Sequence, residues 1–178
     1  LDNAATTKVR EEVVNVISSI IKNEYGNPSS THSYGRSSKS LIESSRKEIA
    51  DILNVKSSEI IFTSGGTEGD NMIIRNCVNN LGVSHIITTK IEHHAVTHTI
   101  DDLIRSNNIN VSYVKVSKSG HVDLNDLEEI LKRSDEKSLV SLMHINNEIG
   151  NITDIQLVSE ICQKYDSLFH SDTVQSVG

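Results

Sequence analysis

A glycine-rich stretch in the first half of the chain could hold a phosphate. Residues 64–67 read SGGT and lie between a predicted strand and a predicted helix. Glycines let backbone N–H groups approach an anion closely, and the N–H groups at a helix start favour phosphate. Thr67 adds a hydroxyl donor. The stretch equally fits a plain turn in which Thr67 caps the helix, and it matches neither the P-loop nor the GxGxxG pattern.

Two adjacent histidines, His93 and His94, are predicted to open a later helix. A ring there could stack on a planar ligand or transfer protons near neutral pH. His94 and His98 are four residues apart on one helical face, a spacing that also suits two metal ligands. His170 and Asp172 could complete such a metal site. Partly exposed histidines without a ligand are the remaining interpretation.

Polar clusters also follow two strands predicted near the end of the chain. Asn146 and Asn147 can grip a ligand, because a buried amide without a partner is costly to desolvate. The alternative is an asparagine-stabilised turn that ends at Gly150. Asp172 follows an apolar strand, and Gln175 lies three residues on. A carboxylate at that place can hold a protonated ring nitrogen, or it can cap the following turn.

The elements that must position these clusters alternate along the chain. Apolar residues at helical spacing predict two helices, at about residues 9–23 and 35–53. Strands are then predicted at residues 59–63, 85–89, 111–116, 139–143 and 168–170, separated by helices at residues 67–80, 94–107, 124–132 and 155–165. This alternation predicts an α/β fold of three layers with a mainly parallel sheet. Ligands bind beyond the carboxyl ends of such strands, where all the polar clusters are predicted to lie.

Composition excludes several classes of protein. The 178 residues suffice for one sizeable domain, and the net charge of -7 offers no basic stripe for nucleic acid. Apolar runs all fall short of the roughly 20 residues that span a bilayer, so no membrane association is expected. Cys77 and Cys162 form no CxxC pair and are expected to be core thiols in a reduced, cytoplasmic compartment.

The motifs, taken together, resemble the cysteine desulfurases of the nitrogen-fixation and iron–sulfur cluster type, within the class V aminotransferase-like proteins. They are LDNAATT (residues 1–7), GNPSSTH (26–32), IIFTSGGTE (60–68), HIIT (85–88), EHHAV (92–96), MHINNEIG (143–150) and FHSDTVQSVG (169–178). Their order and approximate spacing are those of the family across essentially the whole chain. The resemblance implies a pyridoxal 5'-phosphate (PLP) enzyme of fold type I, with most of its large domain in this chain.

The resemblance also implies a domain organisation and two contacts with the cofactor. Residues 1–14 would form an N-terminal arm on the side of the small domain and the dimer contact. Residues 15–178 would form the PLP-binding large domain, incomplete at its C-terminal end. Gly66 and Thr67 would receive the PLP phosphate, and Asp172 would pair with the pyridine nitrogen.

Three further site residues follow from the resemblance. His93 would stack on the pyridine ring and act as a catalytic proton shuttle. Asn147 and Gln175 would contact the ring hydroxyl oxygen of PLP. Residues 3–7 and 26–32 would line the substrate side and the dimer interface.

The implied activity is that of a longer parent protein. PLP-dependent removal of sulfur from L-cysteine would give L-alanine and an enzyme persulfide. The parent would be a cytoplasmic homodimer. It would pass the persulfide sulfur to an acceptor protein for iron–sulfur cluster assembly or other sulfur delivery. The family's PLP-binding lysine follows a Ser-x-His motif beyond the Asp172 segment, and its nucleophilic cysteine lies later still. No lysine here follows a histidine, and the chain runs from Leu1 to Gly178. We therefore expect a piece of a longer protein that is inactive alone.

Two alternatives remain at this point. The parent could be another class V PLP enzyme, such as a selenocysteine lyase or an aminotransferase. The chain could also be a non-catalytic fragment or partner domain that never binds PLP tightly.

Overall fold

The computed structural model describes residues 2–107 and 109–177, within which it has six α-helices and four β-strands. The chain divides into two compact units, with the boundary between Phe62 and Thr63. This division concerns compactness alone, so the proposed arm at residues 1–14 and large domain at residues 15–178 stay predictions.

The first unit is helical. Helix α1 spans Glu11–Asn23 and helix α2 spans Ser33–Leu53, which confirms both helices predicted for this part of the chain. The Nδ1 atom of His32 caps α2 by accepting a hydrogen bond from the Gly35 N–H, and the helix ends at Asn54 in the left-handed conformation. Helix α1 has no buried residue, so its apolar face is exposed.

The strand predicted at residues 59–63 is wrong. Ser57–Glu59 form a single 3₁₀ turn, and residues 60–63 have no regular secondary structure. An extended segment becomes a strand only when a neighbour pairs with its backbone groups, and no described segment does so here. The side chains of Ile61 and Phe62 are consequently 65% and 50% exposed. The glycine-rich stretch therefore follows an irregular segment rather than a strand.

The second unit contains a parallel sheet. Its strands are β1 (His85–Thr88), β2 (Asn110–Tyr113), β3 (Ser138–Ser141) and β4 (Leu168–His170), in the spatial order β2-β1-β3-β4. Every neighbouring pair is parallel. Its helices are α3 (Gly66–Leu81), α4 (His94–Asn107), α5 (Leu124–Arg133) and α6 (Ile155–Lys164). These elements confirm the remaining strands and helices of the prediction, with ends that differ by at most three residues.

Both faces of the sheet are covered. Ile86 and Leu139 point into a core with residues of α3 and α4, such as Ile74 and Ile100. The next residue of each strand, Ile87 or Val140, points to the other face and packs with residues of α5 and α6. Successive side chains of a strand face opposite sides, so these apolar runs mark strands buried on both faces. The three-layer α/β architecture with a parallel sheet is confirmed.

The strand order creates a reversal between β1 and β3. The connection after β1 runs through α4, on the α3 side of the sheet. The connection after β3 runs through α6, on the opposite face. Two adjacent strands whose connections leave on opposite faces open a crevice at their carboxyl ends, which is the usual ligand position in such folds.

Candidate functional site

An open cavity of about 220 Å³ lies at this reversal. Its walls are the turns that follow β1 and β3, namely residues 90–94 and 146–149. It therefore brings together His93 and Asn147, two of the six residues predicted for the site. A second open cavity of about 270 Å³ is lined by residues that include His93 and Thr67. His93 thus borders both cavities.

His93 sits immediately before helix α4. Its Nδ1 atom accepts a hydrogen bond of 3.1 Å from the Ala95 N–H, so the ring caps the helix. A neutral imidazole whose Nδ1 accepts carries its proton on Nε2. The bond therefore orients the ring and leaves Nε2 as the nitrogen available to a ligand. Sequence reasoning placed this residue correctly at a helix start.

The turn after β3 is organised by Asn146 rather than Asn147. The Asn146 carboxamide oxygen accepts from the N–H groups of Glu148 and Ile149 at 2.9 and 3.1 Å. Gly150, with φ of 72°, closes the turn by donating to the Asn146 carbonyl. The asparagine-stabilised turn considered from the sequence is thus present. It uses one of the two amides, while the half-buried Asn147 lines the cavity.

Glu92 is a buried carboxyl between the two turns. It is 8% exposed and accepts hydrogen bonds from the Thr89 hydroxyl at 2.7 Å and the Met143 N–H at 2.8 Å. Burial raises the pKa of Glu92 to about 7, and the negative charges of Asp172 and Asp70 raise it further. The two hydrogen bonds act in the opposite direction and lower this pKa. Sequence reasoning assigned Glu92 no role, although its position directly before His93 in EHHAV was a usable signal.

Helix α3 begins at Gly66. Its N-cap residue is Gly65, so no side chain caps the helix. Thr67 therefore lies inside the first turn, and the alternative in which it caps the helix is wrong. A Cβ atom on Gly66 would lie 2.7 Å from the Val174 Cγ2, so the helix start and the turn after β4 are in close contact. The Glu68 carboxylate accepts from the Ser64 N–H, and this bond lowers the pKa of Glu68.

Asp172 lies in the turn that follows β4. Its carboxylate accepts from the Val174 N–H at 3.0 Å, which is the turn-capping role considered from the sequence. Its carbonyl accepts from the His144 N–H at 3.0 Å and so extends the contact between β3 and β4. Asp172 is half-buried and Gln175 is exposed. The contact between Gly66 and Val174 places this turn beside the start of α3.

A buried network ties α3 to the sheet. The His170 Nε2 lies 3.3 Å from the Asp70 Oδ1, and its Nδ1 lies 2.9 Å from the Ser141 Oγ. All three side chains are buried. His170 is therefore engaged away from His94 and His98, whose rings stack on each other at 4.9 Å. No group of three or more possible metal ligands occurs among the described residues, so the four-residue metal hypothesis is wrong.

Neither cysteine has the environment of a nucleophile. Cys77 and Cys162 are buried in the cores on opposite faces of the sheet. Burial raises the pKa of Cys77, and it raises the pKa of Cys162 to about 12. A thiol that does not ionise near neutral pH is inert. The expectation that both are core thiols is confirmed.

The charge distribution of the site fits a ligand with two unlike ends. The start of α3 presents backbone N–H groups and partial positive charge at Gly66, where no side chain fits beside Val174. Three acidic groups, Glu92, Asp70 and Asp172, lie near enough to one another to raise the pKa of Glu92. PLP carries a phosphate at one end and a protonated ring nitrogen at the other, so the residues present fit it.

The chain matches the family model described as aminotransferase class-V over residues 1–178, and it belongs to this family. It is 45% identical to a cysteine desulfurase IscS of Dictyoglomus turgidum, an alignment that covers all of this chain and 45% of that protein. It is 42% identical to a cysteine desulfurase IscS of Methanosarcina thermophila, with 100% and 44% covered. The chain thus spans a little under half the length of these relatives.

Solved structures agree with this assignment. A NifS-like protein matches with a TM-score of 0.92 and 38% identity, over 99% of this chain and 49% of the other. A structure described as SspA in complex with cysteine matches with a TM-score of 0.90 and 31% identity, over 98% and 50%. The resemblance inferred from the motifs is confirmed at the level of the family and the fold. Helices long and apolar enough to cross a membrane are absent from the described residues.

Proposed function

We propose that the protein containing this chain is a PLP-dependent cysteine desulfurase, which converts L-cysteine to L-alanine and leaves the sulfur on an enzyme thiol as a persulfide. The observation that supports this most directly is the cavity between β1 and β3, which joins His93 and Asn147 beside a cluster of acids. Membership of a PLP-dependent family supports the cofactor. Relatives named cysteine desulfurase support the substrate.

Gly66 and Thr67 are proposed to bind the phosphate of PLP. Their backbone N–H groups lie in the first turn of α3, which has no partners for them within the helix. The Thr67 hydroxyl adds a donor at the edge of the cavity that it shares with His93. Any side chain at position 66 would meet Val174, so glycine is needed there.

Asp172 is proposed to hold the proton on the pyridine nitrogen. PLP with a protonated ring supplies an electron sink when bound, which weakens bonds at the Cα of the amino acid. The Val174 N–H and the backbone bond to His144 hold Asp172 in place for this role. The proposed role of the Asp172 carboxylate is thus to keep the proton on the pyridine nitrogen by electrostatic attraction.

His93 is proposed to stack on the ring and to move protons. The bond from Ala95 restrains the ring through its Nδ1 atom. Proton transfer through Nε2 is proposed to require that the ring release the Ala95 N–H, so that Nδ1 can carry a proton while Nε2 gives or takes one. Asn147 and Gln175 are proposed to contact the ring hydroxyl oxygen, Asn147 from the cavity wall.

The sulfur-accepting thiol is proposed to come from outside these 178 residues. In the reaction the C–S bond of cysteine breaks, a proton replaces sulfur on the carbon skeleton, and a new S–S bond forms on the acceptor thiol. The acceptor must be a thiolate, which neither buried cysteine supplies. We therefore propose that this chain is inactive by itself.

The biological context is part of the same proposal. The parent would be a cytoplasmic homodimer that passes persulfide sulfur to an acceptor protein, with iron–sulfur cluster assembly as the expected use. Residues 1–14 would form the arm on the small-domain side and residues 15–178 the cofactor domain. A selenocysteine lyase or an aminotransferase of the same family is the second candidate, because those enzymes need a similar cradle.

Cofactor retention tests the cradle. The full-length protein, purified with PLP and desalted, should keep a visible absorbance band that a Thr67→Ala/Asp172→Ala double variant largely loses. Asp102→Ala is the control. Asp102 lies on helix α4, and its solvent-accessible side chain pairs with Arg75 of helix α3. Equal retention by the double variant and the wild type would contradict the proposed roles.

A further inference from the structure

The cavity of about 220 Å³ at the reversal between β1 and β3 has two walls, and side chains join them. The backbone pairing of β1 with β3 runs as far as Ile87 with Val140. Beyond it the chain forms the β1 turn (residues 89–93) and the β3 turn (residues 143–150). His93 stands at the end of the first turn and Asn147 within the second. Their relative placement therefore depends on what links the turns.

One link runs from the β1 turn to the β3 turn. The Glu92 Oε2 accepts the Met143 N–H at 2.8 Å, and its Oε1 accepts the Thr89 hydroxyl at 2.7 Å. The carboxyl is buried, so the bonds are shielded from water. A buried carboxyl that lost these donors would bear the full cost of desolvation.

The other link runs in the opposite direction. The Asn146 Nδ2 donates to the Ile91 carbonyl at 2.8 Å, from a side chain that is 6% exposed. The same amide donates to the Met143 sulfur at 3.0 Å, and its oxygen holds the Glu148 and Ile149 N–H groups. Asn146 thus orders its own turn while it binds the backbone of the other.

These two links form a reciprocal pair. Each turn sends one buried side chain to the backbone of the other, and each of these side chains directly precedes a residue of the cavity wall. We propose that Glu92 and Asn146 are positioning residues, which hold the β1 turn and the β3 turn at a fixed separation and so set His93 against Asn147. The roles of His93 and Asn147 toward PLP rest on the proposed function, whereas the links themselves do not.

The test uses the full-length protein and a substitution that preserves the link. In Glu92→Gln the amide oxygen can accept from Met143, and the amide NH₂ can donate to the oxygen of the Thr89 hydroxyl. Glu92→Ala and Asn146→Ala each remove one link. Ser138→Ala is the matched control, because Ser138 is 2% exposed and hydrogen-bonds His85 at the other end of the sheet.

Hydrogen exchange of the protein without PLP is the first readout. Either alanine variant should raise exchange about tenfold or more in both turns, because opening one link frees both partners. The double alanine variant should raise exchange by less than the product of the two single-variant factors, because loss of one link already weakens the other. Glu92→Gln should stay within about twofold of wild type, and Ser138→Ala should leave both turns unchanged.

Circular dichroism of added PLP in the visible range is the second readout. The alanine variants should bind PLP about tenfold more weakly and lose most of its induced signal, while Glu92→Gln keeps both. If exchange in the β3 turn is unchanged in Glu92→Ala, the proposal is overturned. It is also overturned if Glu92→Gln raises exchange and weakens PLP binding as much as Glu92→Ala does. If Glu92→Ala does not fold, Asn146→Ala carries the test and must raise exchange in the β1 turn as well as in its own turn. Absence of PLP binding by the wild type overturns the proposed function but leaves the exchange test standing.

Discussion

Glu92 holds its proton more tightly in the folded protein than in the unfolded chain. Its pKa is about 7 in the fold because burial disfavours the charged form, with Asp172 and Asp70 adding repulsion, whereas the ordinary value is 4.5. A raised acid pKa contributes stability below the unfolded pKa that is lost as pH rises through the folded one. Deprotonation of Glu92 should therefore destabilise the fold between about pH 5 and pH 8.

Glu92→Gln should remove this loss. The difference in free energy of unfolding, variant minus wild type, should rise on the order of 2–3 kcal/mol between about pH 5 and pH 8. Denaturant unfolding at several pH values measures it. Burial lowers the pKa of His85, which works in the opposite direction, and His85 is common to both proteins. If the free energies of unfolding of wild type and variant change in parallel with pH across this range, the pKa of Glu92 is not raised by the fold.

The two cysteines should resist alkylation in the folded protein. Both thiols are buried with raised pKa values, so the reactive thiolate is scarce near neutral pH. Iodoacetamide followed by mass spectrometry should modify Cys77 and Cys162 only after denaturation. Rapid labelling of either one in the native protein would reopen it as a candidate nucleophile.

Among the elements, helix α3 closely approaches the turn after β4 at Gly66. Gly66→Ala puts a Cβ atom 2.7 Å from the Val174 Cγ2, so the helix start or the turn must shift. We expect a loss of about 1–2 kcal/mol in stability and weaker PLP binding. Val174→Ala removes the obstructing methyl group, so the double variant should recover most of the loss in thermal unfolding. A double variant no better than Gly66→Ala would place the strain elsewhere.

The same helix is tied to the sheet by Asp70 and His170. Asp70→Ala leaves a buried imidazole nitrogen without its partner and should cost about 1–3 kcal/mol. Asp70→Asn keeps an acceptor and should cost less. Asp102→Ala breaks an exposed ion pair with Arg75 and should cost at most about 1 kcal/mol. Chemical unfolding compares the three, and equal losses would mean that the buried pair has no special weight.

Local patterns predicted most elements of this fold. Apolar runs at residues 85–89 and 139–143 indicated strands, and the structure has strands at His85–Thr88 and Ser138–Ser141. The run at residues 59–63 is similarly apolar but remains irregular. Strand formation depends on a partner that is distant in sequence, so propensity alone could not distinguish these cases.

The candidate site was less predictable from the sequence. Strand ends indicated where polar residues should meet, and Thr67, His93 and Asn147 do line neighbouring cavities. The reversal between β1 and β3 depends on the spatial order of strands, which local patterns do not contain. Glu92 and Asp70 were overlooked because an acid within a predicted turn or helix is ordinarily a solvated residue.

At the scale of the whole molecule, we propose that this chain supplies a cofactor cradle and not a complete set of reacting groups. Its family and fold are established by matches over its full length, and it spans a little under half of the relatives' length. These residues are proposed to bind and orient PLP. The sulfur-accepting thiol is proposed to lie in other parts of the parent protein.

Alanine release from L-cysteine by the full-length, PLP-loaded protein tests this assignment most directly. We expect alanine and protein-bound persulfide in equal amounts during a single turnover. Asp172→Ala should lower the rate of alanine release about a hundredfold or more, whereas Asp102→Ala should not. Selenocysteine-specific turnover or transfer of the amino group to a keto acid would favour the second candidate. Alanine formed no faster than with free PLP would contradict the account.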